Sequence, residues 1–260
     1  MSTDIIPLAA NFWNVRGSYK FRGILEIGTQ ASLVRRANGK FVFLDSYTLS
    51  AAARAAVDAL TSGGKDVEAI VNLHPFHTVH VRAMHRAFPS ARLYGTARHL
   101  SLFADLPWEP TKCEDPAMHA LFAEDFEFSV PRGVDFISAD ESVHTSSVLL
   151  LHRASRTLHV DDTFVYFPFP WPLRLLVPGG LVRIHPMLPK ALQRRAGAAS
   201  DFRRWAAEFT ESCRDVEHLC AAHSAVLSNA GTPGTSVPAL LRKALDNAEP
   251  ILRAHENKYG

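Results

Sequence analysis

Cysteine is scarce in this chain, long apolar runs are missing, and neither sign of charge is in excess. The three cysteines among 260 residues, Cys113, Cys213 and Cys220, are odd in number and too widely spaced for a disulfide framework or a Cys-x-x-Cys metal knuckle. They read as reduced thiols of a cytoplasmic protein. No run of about 18 apolar residues occurs, so no membrane-spanning helix is expected. The nearest approach, FVYFPFPWPLRLLVPGG (164–180), is broken by prolines and by Arg174. The opening MSTDIIPLAANFW carries Asp4 and no basic region ahead of an apolar core, so it does not read as a secretory signal. The 28 Lys and Arg against 26 Asp and Glu leave a formal charge of +2 with no basic run or face, which argues against nucleic acid as a partner.

What is present is ordinary globular material, 47% hydrophobic and 21% charged, over a length that can bury a large core. Residues 1–260 are read as a single domain with an apolar, Pro-rich insertion at about 164–190. From 10 to 45 the pattern is β: NFWNVRG, FRGILEIG, ASLVRR and KFVFLD are short runs punctuated by glycines, and Asn38-Gly39 predicts a tight hairpin turn. LSAAARAAVDALTSGG (49–64) predicts a helix stopped by two glycines, and VEAIVNL (67–73) a buried strand. TVHVRAMHRAF (78–88) predicts a helix ending before Pro89, and ARLYGT (91–96) a strand followed by a short helix to about Phe103. A second block predicts strands at 134–140, 146–153, 156–162 and 216–223, a helix over 200–213 and one closing helix over 237–255. This β-α-β order implies partly parallel sheets covered by helices. Two such halves give the expected fold class, α/β (α+β) arranged as a four-layer α/β/β/α sandwich.

Ligand-type side chains collect at the ends of these strands, where α/β folds build their sites. Asp45 follows FVFL, and the loop NLHPFH (72–77) follows VEAIV. His144 stands at the start of a strand, while Asp162 and His223 close two others. The stretch VNLHPFHTVH spaces His74, His77 and His80 three residues apart. Histidine is the commonest metal ligand, and it also titrates near neutral pH. The spacing alone leaves open a metal site or a row of solvated imidazoles. His85, His99, His119, His152, His159, His185, His218 and His255 fit no motif and read as structural or solvated.

In order and spacing these elements resemble the metallo-β-lactamase fold superfamily, over roughly residues 10–230. KFVFLDSY is similar to its hairpin with an Asp-containing turn, NLHPFH to its His-x-His-x-Asp-His loop, and FPSARLYGT to the element that closes the following helix. HTSSVLLL, RTLHVDDTF and AAHS resemble its later His, Asp and final His elements. The resemblance implies one metal held by the first two loop histidines and the later His. It implies a second held by the loop Asp, the last loop His and the final His, with the Asp after the strand shared between them. Placed on this chain, the first set keeps His74 and His144 and has Asn72 where a His is expected. The second keeps His77, Asp162 and His223 and has Phe76 where the Asp is expected.

Five such ligands suit one ion better than two. His77, Asp162 and His223 form a two-His-one-carboxylate set that fits Zn²⁺ with an open position, or non-haem Fe²⁺. His74 and His144 then add ligands or orient a water, which gives His74, Asp162 and His144 the expected catalytic roles. Asp45 is expected to cap its turn and hydrogen-bond a ligand His, and Asn72 to bond a water. His80, one helical turn beyond His77, reads as a surface or supporting group, and Asp161 as a turn carboxylate or substitute ligand. The implied function is a metal-dependent hydrolase acting on an ester, thioester, amide or phosphoester of a small molecule. Phe167, Phe169, Trp171 and the leucines of the insertion predict an apolar wall or lid for that substrate, or alternatively a homodimer contact or a cover over the core. Two other functions stay open: a mononuclear non-haem iron oxygenase, and a binding or scaffold protein that keeps the fold without the chemistry or the metal.

Overall fold

Alternating apolar residues in the N-terminal third form a meander that turns into a parallel sheet where helices intervene. The computed structural model describes residues 5–21, 25–169, 171–172, 179–223, 225–229 and 235–260. It divides into two units, Met1–Glu127 with His152–Ser155, and Phe128–Leu151 with Arg156–Gly260.

The first unit runs β1 (Ile5–Ala9), β2 (Phe12–Gly17), β3 (Lys20–Phe21), β4 (Leu25–Glu26), β5 (Thr29–Arg35), β6 (Phe41–Leu44), α1 (Ala51–Leu60), β7 (Val67–Val71), α2 (Val81–Ala87), β8 (Arg92–Tyr94), α3 (Ala97–Leu102) and α4 (Pro116–Leu121). Its main sheet has the order β1-β2-β5-β6-β7-β8, antiparallel as far as β6 and parallel from there to β8. The Asn38-Gly39 turn is present: Gly39 takes φ 83°, its N–H donates to Arg36 O at 2.9 Å, and Arg36 N–H to Lys40 O at 2.8 Å. Helix α1 begins where Ser50 Oγ accepts the Ala53 N–H at 3.1 Å and gives way to Gly63 and Gly64, both at positive φ. Its Val57 packs with Met84 and Phe88 against Val15, Leu33, Phe43 and Ile70 of the sheet. Each such side chain contributes roughly 1.5–3 kcal/mol by leaving water.

The helix expected over 78–88 is shorter, starting at Val81. Residues 74–78 fold back on themselves instead: the His77 N–H donates to His74 O at 3.1 Å and the Thr78 N–H to Phe76 O at 3.0 Å. His77 is therefore off the helix. His80 stands at its N-cap position rather than following His77 along one face.

The second unit's elements follow β9 (Phe126–Ser129). They are β10 (Leu149–His152), β11 (Thr157–Val160), β12 (Phe164–Phe167), β13 (Leu181–Ile184), α5 (Leu188–Ala191), α6 (Ala198–Ser212), β14 (His218–Ala221), β15 (Val226–Ser228), α7 (Val237–Asp246) and α8 (Glu249–Tyr259). The sheet order is β15-β14-β11-β10-β9, with β11 and β14 parallel, and β12 and β13 form a separate hairpin. Leu149, Leu158, Val160 and Leu219 of the sheet share one core with Phe202, Trp205 and Phe209 of α6 and with Leu241 and Leu252.

Two expectations fail in this unit. Residues 134–140 form no strand; Val134 makes one isolated bridge to Leu192, and the strand lies earlier, at β9. The neighbouring Gly133 has φ 76°, and a Cβ there would lie 2.0 Å from Ala198 O, so the chain is bent tightly against the start of α6. The single closing helix is two helices, because Pro250 in the first turn of α8 has no N–H with which to continue a helix from α7. In the insertion, Phe167 and Trp171 are exposed, while Leu173, Leu175 and Leu176 of the expected apolar wall lie outside the described residues. Among the described residues no helix is long and apolar enough to cross a membrane.

His152 sits between the rings of Phe12 and Phe126, at 5.8 and 5.6 Å, with Nδ1 2.7 Å from Ser155 Oγ. Burial pushes its pKa down to about 4 from 6.5, against the weaker opposing pull of Asp125. As pH falls from 6.5 toward 4, the unfolded chain takes up a proton that the native ring refuses, so stability declines through that window. We expect His152→Phe to flatten the fall in urea midpoint between pH 7 and pH 5; an unchanged slope would remove His152 from the account.

Candidate metal centre

In the first unit the site begins where β6 and β7 end. Asp45, at φ 61°, donates its N–H to Val71 O and accepts the Leu73 N–H on Oδ1, both at 2.8 Å. Asn72 is spent in both directions: Oδ1 accepts the Ser46 hydroxyl at 2.7 Å, and Nδ2 donates to Tyr94 O at 3.0 Å. These bonds carry the chain into the loop with His74 fully buried. The rings of His74 and His77 stack at 4.0 Å and 18°. His74 Nδ1 accepts the Phe76 N–H at 3.1 Å. The Phe76 ring lies under the Arg98 guanidinium, 4.5 Å from its centroid, so an aromatic contact occupies the position expected for a carboxylate.

His99 supports this loop from α3. Its Nδ1 accepts the Thr96 N–H at 3.2 Å, which leaves the ring hydrogen on Nε2, 3.4 Å from His77 O. Burial drives its pKa down to about 4, so the ring is neutral near pH 7. His80 lies apart, with Nδ1 2.8 Å from Thr48 Oγ1 and its ring edge-on to Tyr47; burial lowers its pKa, with His77 adding to the shift.

In the second unit the parallel register does the placing. Val160 of β11 pairs with Ala221 of β14, so two residues further along each strand Asp162 meets His223, with Oδ1 and Nε2 3.3 Å apart. Asp162 is almost fully buried. His144 lies in an irregular segment just after a turn and five residues before β10, not at the strand start expected for it. Its Nδ1 lies 3.1 Å from Glu141 O, and since a carbonyl only accepts, Nδ1 donates and Nε2 keeps its lone pair. That is the ring form a metal ligand needs.

The structure adds a residue to this group that spacing did not find. His185, just after β13, has its ring centroid 6.3 Å from that of His144. Burial lowers its pKa, opposed by the Asp162 carboxylate, while His144 and His223 lower it further. Thr163 joins the three segments: Oγ1 accepts the Ser147 N–H and donates to Thr145 O, both at 3.1 Å, and its carbonyl accepts the His185 N–H at 3.2 Å. His185 also borders a small recess with Thr145, Thr163, Ile184, Leu188 and Phe202. Asp161, beside Asp162, is buried, as is His159 on the same strand, and one ligand atom of each lies within 4.8 Å of the other.

Solved structures share this architecture over nearly the whole chain. A metallo-β-lactamase from Erythrobacter litoralis matches with a TM-score of 0.60 at 14% identity, covering 95% of this chain and 96% of that one. One from Pontibacter korlensis gives 0.56 at 10% identity, over 94% and 98% of the two chains. One from Hirschia baltica gives 0.53 at 12%, over 95% and 96%. The chain has the metallo-β-lactamase fold. No protein-family model matches the sequence, and no curated protein matches it. At these identities the likeness is one of fold, so any function of this metallo-β-lactamase fold has to be argued from its own side chains.

Two substitutions test the scaffold of the site. Asn72→Ala removes two buried bonds, so a loss of about 1–3 kcal/mol in urea unfolding is expected without loss of bound metal. Metal loss with unchanged stability would instead make Asn72 a ligand. Thr163→Val leaves the buried Ser147 N–H and Thr145 C=O unpaired and is expected to cost a similar amount, about 1–3 kcal/mol; a neutral result would dissolve the role given to Thr163.

Proposed function

We propose that this chain binds one divalent metal ion and hydrolyses an ester, thioester, amide or phosphoester bond of a small molecule. The observation that carries the reading is the buried Asp162 carboxylate 3.3 Å from His223, with His144 held in the ring form that leaves Nε2 able to ligate. A carboxylate and neutral imidazoles are donors that suit Zn²⁺. The resemblance of the NLHPFH loop adds His77 as the third ligand with Asp162 and His223, with His144 completing the set and His74, whose Nδ1 accepts the Phe76 N–H, orienting water through Nε2–H. When bound, such an ion acidifies a water and polarises the bond to be cleaved.

The chain's own residues would do the rest. Asp162 and His223 hold a carboxylate and an imidazole at fixed register, and the Glu141 carbonyl fixes the His144 ring. Phe76 offers no oxygen for a second ion, which favours a mononuclear site. Exposed Phe167 and Trp171 favour a substrate with an apolar part, and three buried cysteines outside any disulfide favour the cytoplasm. The same two-His-one-carboxylate set also suits Fe²⁺, so the oxygenase reading stays as the second one.

Elemental analysis of untagged protein beside His223→Ala and His77→Ala decides between them. About one zinc per chain, lost in both variants, is the expected result. One iron with oxygen uptake would favour the oxygenase. Two ions per chain would overturn the mononuclear reading, and no ion after exposure to zinc and iron would overturn both enzymes.

A further inference from the structure

The loop from His74 to Thr78 is tied at its strand end by the bonds of Asp45 and Asn72, and further along by a side chain of the next helix. His99 of α3 is fully buried, and both of its ring nitrogens are engaged. Nδ1 accepts the Thr96 N–H at 3.2 Å and lies 3.0 Å from Thr96 Oγ1, while Thr96 Oγ1 accepts the His99 N–H, which makes a capping box for α3. The ring hydrogen is therefore on Nε2, where it donates to His77 O across 3.4 Å. Packing holds the ring there. Trp108 lies against it with centroids 5.8 Å apart. Gly95 makes the room, since a Cβ there would lie 2.8 Å from His99 Cβ and 2.7 Å from the Trp108 ring.

Packing alone would be met by an apolar side chain, and the cap alone by any acceptor. A buried imidazole that accepts at one end and donates at the other does a third job: it joins the helix to the carbonyl of a candidate ligand residue. We propose that His99 is a positioning residue of the metal site, its Nε2–H fixing the His77 backbone and so the place from which the His77 imidazole ligates. This rests on the reading of His77 as a ligand above.

The test is Zn²⁺ affinity of the full chain, measured by competition with a chromophoric chelator, with urea midpoints to confirm folding. Wild type is compared with His99→Met, His99→Leu, His99→Gln, Thr96→Val and His77→Ala. The Met and Leu variants, either of which suffices if the other misfolds, are expected to bind about 10–100-fold more weakly. Gln can accept the Thr96 N–H on Oε1 and donate from Nε2, so it is expected to restore most of the affinity. Thr96→Val weakens the cap and keeps the imidazole, so it is expected to lower the urea midpoint with affinity unchanged. Wild-type affinity in a folded Met or Leu variant would overturn the proposal while leaving the metal site intact. Failure of Gln to rescue, or an equal loss of affinity in Thr96→Val, would overturn it in favour of packing or general stability. A folded wild type that binds no Zn²⁺, or wild-type affinity in His77→Ala, would overturn the reading of His77 as a ligand.

Discussion

A strand that ends inside a protein leaves backbone groups that no further strand pairs, and buried ones must find partners. In this chain side chains take them up at the points where candidate ligands leave the sheets. Asp45 Oδ1 takes the Leu73 N–H, and Asn72 ties Tyr94 O to Ser46, so His74 emerges at a fixed place. Thr163 takes the Ser147 N–H and the Thr145 carbonyl, which fixes the turn after His144. Asp45 shows how tightly this is imposed. A non-glycine residue at φ 61° carries roughly 1–3 kcal/mol of strain, and here hydrogen bonds at both its N–H and its carboxylate over-determine it.

Much of the fold was legible because period and punctuation are local properties. The runs that became β2, β5, β6, β7, β11 and β14 alternate or stay apolar over strand lengths, and α1 and α6 carry capping residues or an amphipathic period. The failures were decided by distant parts of the chain or by one backbone atom. VDFISAD alternates like a strand, but Gly133 bends the chain against α6 and Val134 finds only a single bridge. The apolar pattern over 237–255 continues across a break that comes from the missing N–H of Pro250. His80 does not follow His77 along a helix, because the loop before it turns twice before any helix starts.

The site divides the same way. Asp162 and His223 were legible as residues that follow strands, and the β11–β14 register explains their meeting. His185, Thr163 and His99 were not legible. His185 reaches its place only through the β12–β13 register, with much of the connecting insertion between them, and nothing in its immediate sequence marks it. Nor does spacing say which nitrogen of a ring carries hydrogen. The acceptor or donor on the other nitrogen decides that, here Glu141 O for His144 and Met187 N–H for His185.

The two positions where this chain departs from the ligand pattern are also explained by what those side chains do. A vacated ligand position in a working site would be expected to hold a small or solvated group. Asn72 is instead buried with its oxygen and its nitrogen both committed to neighbouring strand ends. Phe76 is committed too, between the His74 ring at 6.1 Å and the Arg98 guanidinium. Converting Asn72 to a ligand would take its oxygen from the Ser46 hydroxyl, and replacing Phe76 would remove the ring beneath the Arg98 guanidinium. The departures are structural commitments, with bonds and contacts of their own.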